Sequence, residues 1–222
     1  MKKFLVFLFP LLCVLTTFLA CSKEQTLTPC VSELRSAIYY GQSQTLTVKA
    51  GYGFKEQPFV NDGKVGKTVS TLSFKLIDKE IDDVTYNLSF KYLNNEYKGT
   101  FSLNPLTDTL TCSVEIYDFT LNQFTINIAF GSNNEEITLK SIVPNGTLTY
   151  DQALNFLQKN QSALVSHYTN SEGVFNAEIY IRILVKDDKP YWYVGLASGN
   201  EQLKAFLIDG FSGEILAIRE IF

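Results

Sequence analysis

Apolar and polar residues alternate with period two through most of residues 30–143, and few sequence patterns restrict a fold so strongly. Leu46 and Val48 alternate with Thr45, Thr47 and Lys49, and Leu72, Phe74 and Leu76 with Ser73 and Lys75. Val84, Tyr86, Leu88, Phe90 and Tyr92 repeat the pattern, followed by Tyr97, Phe101 and Leu103, by Leu110 to Ile116, by Phe124 to Phe130, and by Ile137 and Leu139. Each run gives a strand one wet and one dry face. Turn signals at Asn61-Asp62-Gly63, Asn94-Asn95, Asn104-Pro105 and Gly131 to Asn134 part about seven such runs, which predicts two antiparallel sheets packed face to face. The expected architecture is an immunoglobulin-like β-sandwich over residues 30–143. Antibody domains carry a Cys…Trp…Cys pattern that is missing here, so the likeness is one of architecture alone.

Pro144-Asn145-Gly146 interrupts the alternation and predicts a linker. Beyond it the period changes. Thr149 and Gln152 have the spacing of a capping box, and Ala153, Leu154, Leu157, Ala163 and Leu164 follow at helical intervals, predicting one amphipathic helix over residues 150–165 with a weak point at Asn160. Period two returns in Ile179, Ile181, Ile183 and Val185, then in Trp192, Val194 and Leu196, then in residues 203–208 and 215–221. A helix followed by an antiparallel meander is an α+β unit, expected over residues 148–222.

The first residues, MKKFLVFLFPLLCVLTTFLAC, are an address rather than part of a fold. Lys2 and Lys3 precede an almost unbroken apolar run, and small Ala20 precedes Cys21, the layout of an export signal. Phe18 to Cys21 resembles the lipobox of bacterial lipoproteins, which implies cleavage after residue 20 and a diacylglyceryl group on the Cys21 thiol. Ordinary cleavage after Ser22 or Ala20, or an uncleaved span, are the alternatives. The lipobox reading places the mature chain on the outer face of a bacterial membrane, its lipid being the membrane partner and residues 21–29 the tether.

Removing Lys2 and Lys3 leaves 17 basic against 23 acidic residues, a net charge of −6 with no basic run, which argues against nucleic acid as a partner. Cys30 and Cys112 remain once Cys13 leaves with the leader and Cys21 is acylated. In an exported protein they could pair as a disulfide, or stay as buried thiols, since Cys112 lies on the apolar face of its run.

Four features of residues 148–222 resemble the PepSY domain: a helix opening with Asp151, Gln152 and Ala153; the aromatic strand Tyr191 to Val194; Ile208-Asp209-Gly210; and Ser212-Gly213-Glu214-Ile215-Leu216. The ending IDGFSGEIL is similar to the family's DxxTGxxL. The resemblance implies a cell-envelope protein associated with regulating peptidases. Physically the ending predicts a hairpin turn, with Asp209 accepting amide hydrogens, Gly213 at positive φ and Leu216 re-entering the core.

Sites for chemistry are sparse. His167, the only histidine, is expected at a helix C-terminus as a polar residue beside the last carbonyls. Asp78, Glu80, Asp82 and Asp83 lack the glycine and closing glutamate of an EF-hand and suit a solvated turn. Residues 51–66, with Tyr52, Phe54 and Phe59 among glycines and a proline, are the one stretch expected to bind a ligand, if its aromatics stand on a loop rather than close the sandwich. Glycosylation sequons at Asn87, Asn145 and Asn160 carry no weight under a bacterial lipobox. No catalytic residue, metal or cofactor is expected. The sequence predicts a non-enzymatic surface protein that binds a protein or peptide partner, with a peptidase inhibitor or regulator as the alternative.

Overall fold

The computed structural model describes residues 26–58, 60, 62–77, 84–198 and 203–221. Its chain is mainly β, as expected, with a curled sheet and two small helices. The first strand, β1 (Val31–Gln42), is followed by β2 (Thr47–Glu56), β3 (Thr68–Leu76), β4 (Tyr86–Tyr92), β5 (Asn95–Thr100), β6 (Ser102–Asn104), β7 (Thr109–Glu115), β8 (Gln123–Phe130) and β9 (Asn133–Ser141). Helices α1 (Tyr150–Asn160) and α2 (Ser162–His167) lead into β10 (Glu178–Lys186), β11 (Lys189–Ala197), β12 (Leu203–Asp209) and β13 (Ile215–Ile221).

The strands form one connected sheet. Its long path runs β13-β12-β11-β10-β1-β2-β3-β7-β6, and β5-β4-β8-β9 branches from it where β9 pairs with β1 at Tyr39 and Tyr40. Among the described strands only the β1–β10 pair is parallel, matching Val31 with Ile179 and Leu34 with Ile181. Two cores result, and β1 contributes to both, Leu34 and Ile38 to the second and Tyr39 to the first. Val48, Ala50 and Tyr52 of β2 face the first core, closed by Leu88, Phe90, Ile126, Ile128 and Leu139 from the branch. Phe54, two residues on and so on the same side of β2, packs on the second core beside its cross-strand partner Leu34. Helix α1 covers that core with Ala153, Leu154 and Leu157, and α2 adds Val165.

Aromatic rings fill the first core where the sheet curls. Phe119 meets Phe124 at 4.9 Å and Tyr92 at 4.8 Å, and Phe124 meets Tyr39 edge-on at 5.2 Å, contacts worth about 0.5–1.5 kcal/mol each beyond burial. In the second core Trp192 is buried and its indole N–H donates to the Leu148 carbonyl at 2.9 Å, so the polar tip of the ring is satisfied.

Several expectations change. Residues 27–30 are not tether: Leu27 is 1% exposed within the second core, and the Thr28 hydroxyl donates to Asp151 at 2.7 Å. Residues 142–148 are a packed connection, with Ile142 and Val143 on the second core and the Leu148 amide donating to the Gly210 carbonyl at 2.7 Å. The single helix becomes two, broken at Gln161 (φ −125, ψ 39), one residue past Asn160, whose side chain donates to the Phe156 carbonyl. The capping box forms as expected, with Gln152 N–H donating to the Thr149 hydroxyl at 3.3 Å and Thr149 N–H to the Gln152 side chain at 2.8 Å.

Candidate functional site

Side chains of β2, β3 and β7 that point away from the first core form a second surface, and its rows, continued onto β1, follow from the register. One row across β1, β2, β3 and β7 is Tyr40, Lys49, Lys75 and Thr111; the next is Ile38, Gly51, Ser73 and Ser113; the third is Arg35, Gly53, Thr71 and Glu115. On β2, β3 and β7 the middle row holds small side chains, Gly51, Ser73 and Ser113, so the sheet sinks there between taller neighbours. A cleft of about 650 Å³ lies along this depression. Ile38, Ile183 and Leu184 line it near the fork where β1, bulged at Ser36, leaves β10 to meet β9. The turn between β6 and β7, with Asn104 and Asp108, bounds the other end.

Three cationic residues line this floor. Lys49 and Lys75 stand directly opposite each other across β2 and β3, an arrangement that is destabilising in itself. Arg35 starts two rows away but lies back along the strand, its Cδ 3.1 Å from where a Cβ on Gly51 would stand, so the glycine makes room for the arginine stem. Among the described residues none of the three forms an ion pair. Beneath them Ser73 and Ser113 share a hydrogen bond of 2.9 Å, and Thr111 adds a third hydroxyl. Among the described residues Asp108 is the one acid lining the cleft. What the site offers is directed positive charge and hydroxyl groups over a small-residue floor.

No protein-family model matches the chain, and no curated protein is similar to it in sequence. The site stands on its own geometry.

The aromatic residues expected on a binding loop are placed otherwise. Tyr52 and Phe54 belong to β2 and face the cores, Tyr52 against Phe119 at 5.6 Å and Phe54 in the second core. Their flanking glycines mark close approach rather than a loop, since a Cβ on Gly53 would stand 1.8 Å from the Leu34 carbonyl oxygen beside the β1 bulge. Phe59 and Cys21 lie outside the described residues, as does the acid run from Asp78 to Asp83. The true connection, residues 57–67, is tied down by two buried acids. Glu178 accepts from the amides of Asp62 at 3.1 Å and Gly63 at 3.4 Å, and Glu56 from that of Gly66.

Cys30 and Cys112 are free thiols in different cores, Cys30 beside the second and Cys112 within the first, so no disulfide joins them. Burial pushes both thiols up, which makes them poor nucleophiles. His167 ends α2 exposed, against the Tyr168 ring at 5.2 Å. Sequence reasoning saw Lys49, Ser73 and Lys75 only as a wet strand face. Their meeting depends on which strands are neighbours, and period two does not carry that information.

Proposed function

We propose that this chain is a non-enzymatic binding module held at the outer face of a bacterial membrane by lipid on Cys21, and that the cleft is its ligand site. The observation that carries the reading is that Arg35, Lys49 and Lys75 line the small-residue floor with Asp108 the one acid lining it among the described residues, since an excess of cations in a concave site is a ligand-binding feature rather than a stabilising one. We read the curled N-terminal part as the immunoglobulin-like sandwich that presents this cleft. Only Ser22 to Thr26 separate Cys21 from buried Leu27, a reach of roughly 20 Å at full extension, so a lipid there would hold the second core close to the headgroups. A photo-crosslinking residue placed at Ser73 on intact cells is expected to capture a ligand that the same residue at exposed Ser162 does not; equal labelling at both would sink the reading. A mass spectrum of the mature N-terminal peptide is expected to show acyl chains on Cys21.

The alternative, a PepSY-like peptidase regulator, draws support from the turn at Asp209, whose carboxylate accepts from the Phe211 and Ser212 amides at 2.9 and 2.8 Å with Gly213 at φ +77. Unchanged surface protease activity in a strain lacking the protein would remove it.

A further inference from the structure

We propose that the cleft binds a small soluble molecule through a phosphate group, held between Lys49, Lys75 and Arg35. This rests on the reading of the cleft as a ligand site and names its ligand chemistry. Lys49 and Lys75 line the floor from directly opposed strand positions, and the Arg35 side chain lies over Gly51 in the middle row. A phosphate has several acceptor oxygens and about two charges, so it can take all three while accepting from the hydroxyls of Ser73, Thr111 or Ser113. A planar monocarboxylate has two oxygens and one charge, and would leave a cation unanswered.

Charge bookkeeping points the same way. The mature chain is net −6 and repels anions in general, whereas the cleft gathers three cations against one acid, Asp108, among the described residues. An anion is therefore drawn to this one depression. Leu184, 39% exposed, offers an apolar contact to the rest of the molecule, and a volume of about 650 Å³ lies in the ordinary range for small-ligand sites, roughly 300–1,000 Å³. The opposition of Lys49 and Lys75 is then a cost of the empty site that the ligand removes.

The test is a titration of the mature protein with inorganic pyrophosphate, followed by amide NMR and calorimetry. Shifts centred on Lys49, Gly51, Ser73, Lys75 and Ser113 are expected, with binding that weakens as salt rises. K49Q/K75Q should weaken it about tenfold or more, the loss expected for charge-assisted hydrogen bonds. The same variant should unfold at equal or higher urea, since it removes like charges, so lost binding would not reflect lost folding. Citrate binding as tightly as pyrophosphate, or pyrophosphate binding unaffected by K49Q/K75Q, would overturn the phosphate assignment. A neutral trisaccharide that shifts the same amides while pyrophosphate does not would overturn it too, yet leave the cleft a ligand site. If no probe shifts them, both readings fall. Capture of the unlipidated chain by phosphatidylglycerol vesicles through these residues would replace a soluble ligand with a headgroup. Pyrophosphate binding that appears only in D78N/E80Q/D82N/D83N would make the cleft a seat for the chain's own acids and end the proposal.

Discussion

Asp209 closes the turn between β12 and β13 with one carboxylate oxygen, which accepts from the Ser212 amide, the Phe211 amide and the Ser212 hydroxyl at 2.8, 2.9 and 3.1 Å. These bonds, the Ser212 amide first, hold its carboxyl below the ordinary carboxylate range, with Lys189 contributing less. A folded pKa below the unfolded value, about 3.9, means stability that is fully present above pH 4 and lost as pH falls through the folded pKa. Urea unfolding of D209N and the native chain should therefore differ most at pH 5–7, by about 1 kcal/mol or less after solvent screening, and converge toward pH 2.5. A gap that stays constant across that range would show that the charge is not what the turn uses. At this scale the sequence was legible, because Asx turns and positive-φ glycines are local chemistry. One residue was misplaced. Leu216 is 46% exposed and Ile215 packs on the second core instead, because the register slips by one between Leu207 and Ile208. A bulge reverses the faces of everything beyond it.

Among the elements, β1 was the least visible, and the long path is built around it. Its apolar residues Val31, Leu34, Ala37 and Tyr39 are spaced three, three and two apart, because register shifts at Ser32 and Ser36 break the alternation twice. Ile38 is also buried, on the other side, so the strand shows neither a clean period of two nor one of 3.6. The same blindness made residues 27–30 look like tether. Leu27 has no periodic neighbour before it, and only the tertiary packing of the second core shows that it is inside. Burial of Leu27 makes a direct prediction: Leu27→Ala should lower the stability of the protein by about 2–5 kcal/mol in urea unfolding, while Thr26→Ala, exposed one residue earlier, should stay within about 0.5 kcal/mol. Two neutral substitutions would return the segment to the tether. The α+β elements were easier to read, since the capping box, the Asp187-Asp188 turn at φ +51 and +58, and strict alternation in β10 and β11 are each signals within a few residues. The cleft was not, because Arg35, Lys49, Lys75 and Ser113 come from four strands whose adjacency no local signal fixes.

For the molecule as a whole, the two cores are joined along β1, which belongs to both, and the second core also takes Phe54 of β2 and Ile142 and Val143. Leu34 and Ile38 pack in the second core and Tyr39 in the first, so adjacent residues of one strand are fixed by different halves of the protein. Pairing with β10 and β2 over its first part, and with β2 and β9 over its end, leaves no point at which β1 could come loose from one half and stay ordered in the other. Melting the first core would release Tyr39 and the β2 and β9 pairing; Leu34 would then lose Phe54 across the strand, and Ile179 and Ile181 of β10 would face water. The two cores should therefore unfold as one cooperative unit. Trp192, the only tryptophan, lies in the second core and reports on it alone. Ile126 lies fully buried in the first core, on β8, with no place in the second. Ile126→Ala should cost about 2–5 kcal/mol, and the loss should shift the urea midpoint followed by Trp192 fluorescence as far as the midpoint followed by far-UV circular dichroism. If the tryptophan transition keeps its native midpoint while the dichroism transition moves or splits, the halves are independent domains and β1 is a hinge between them.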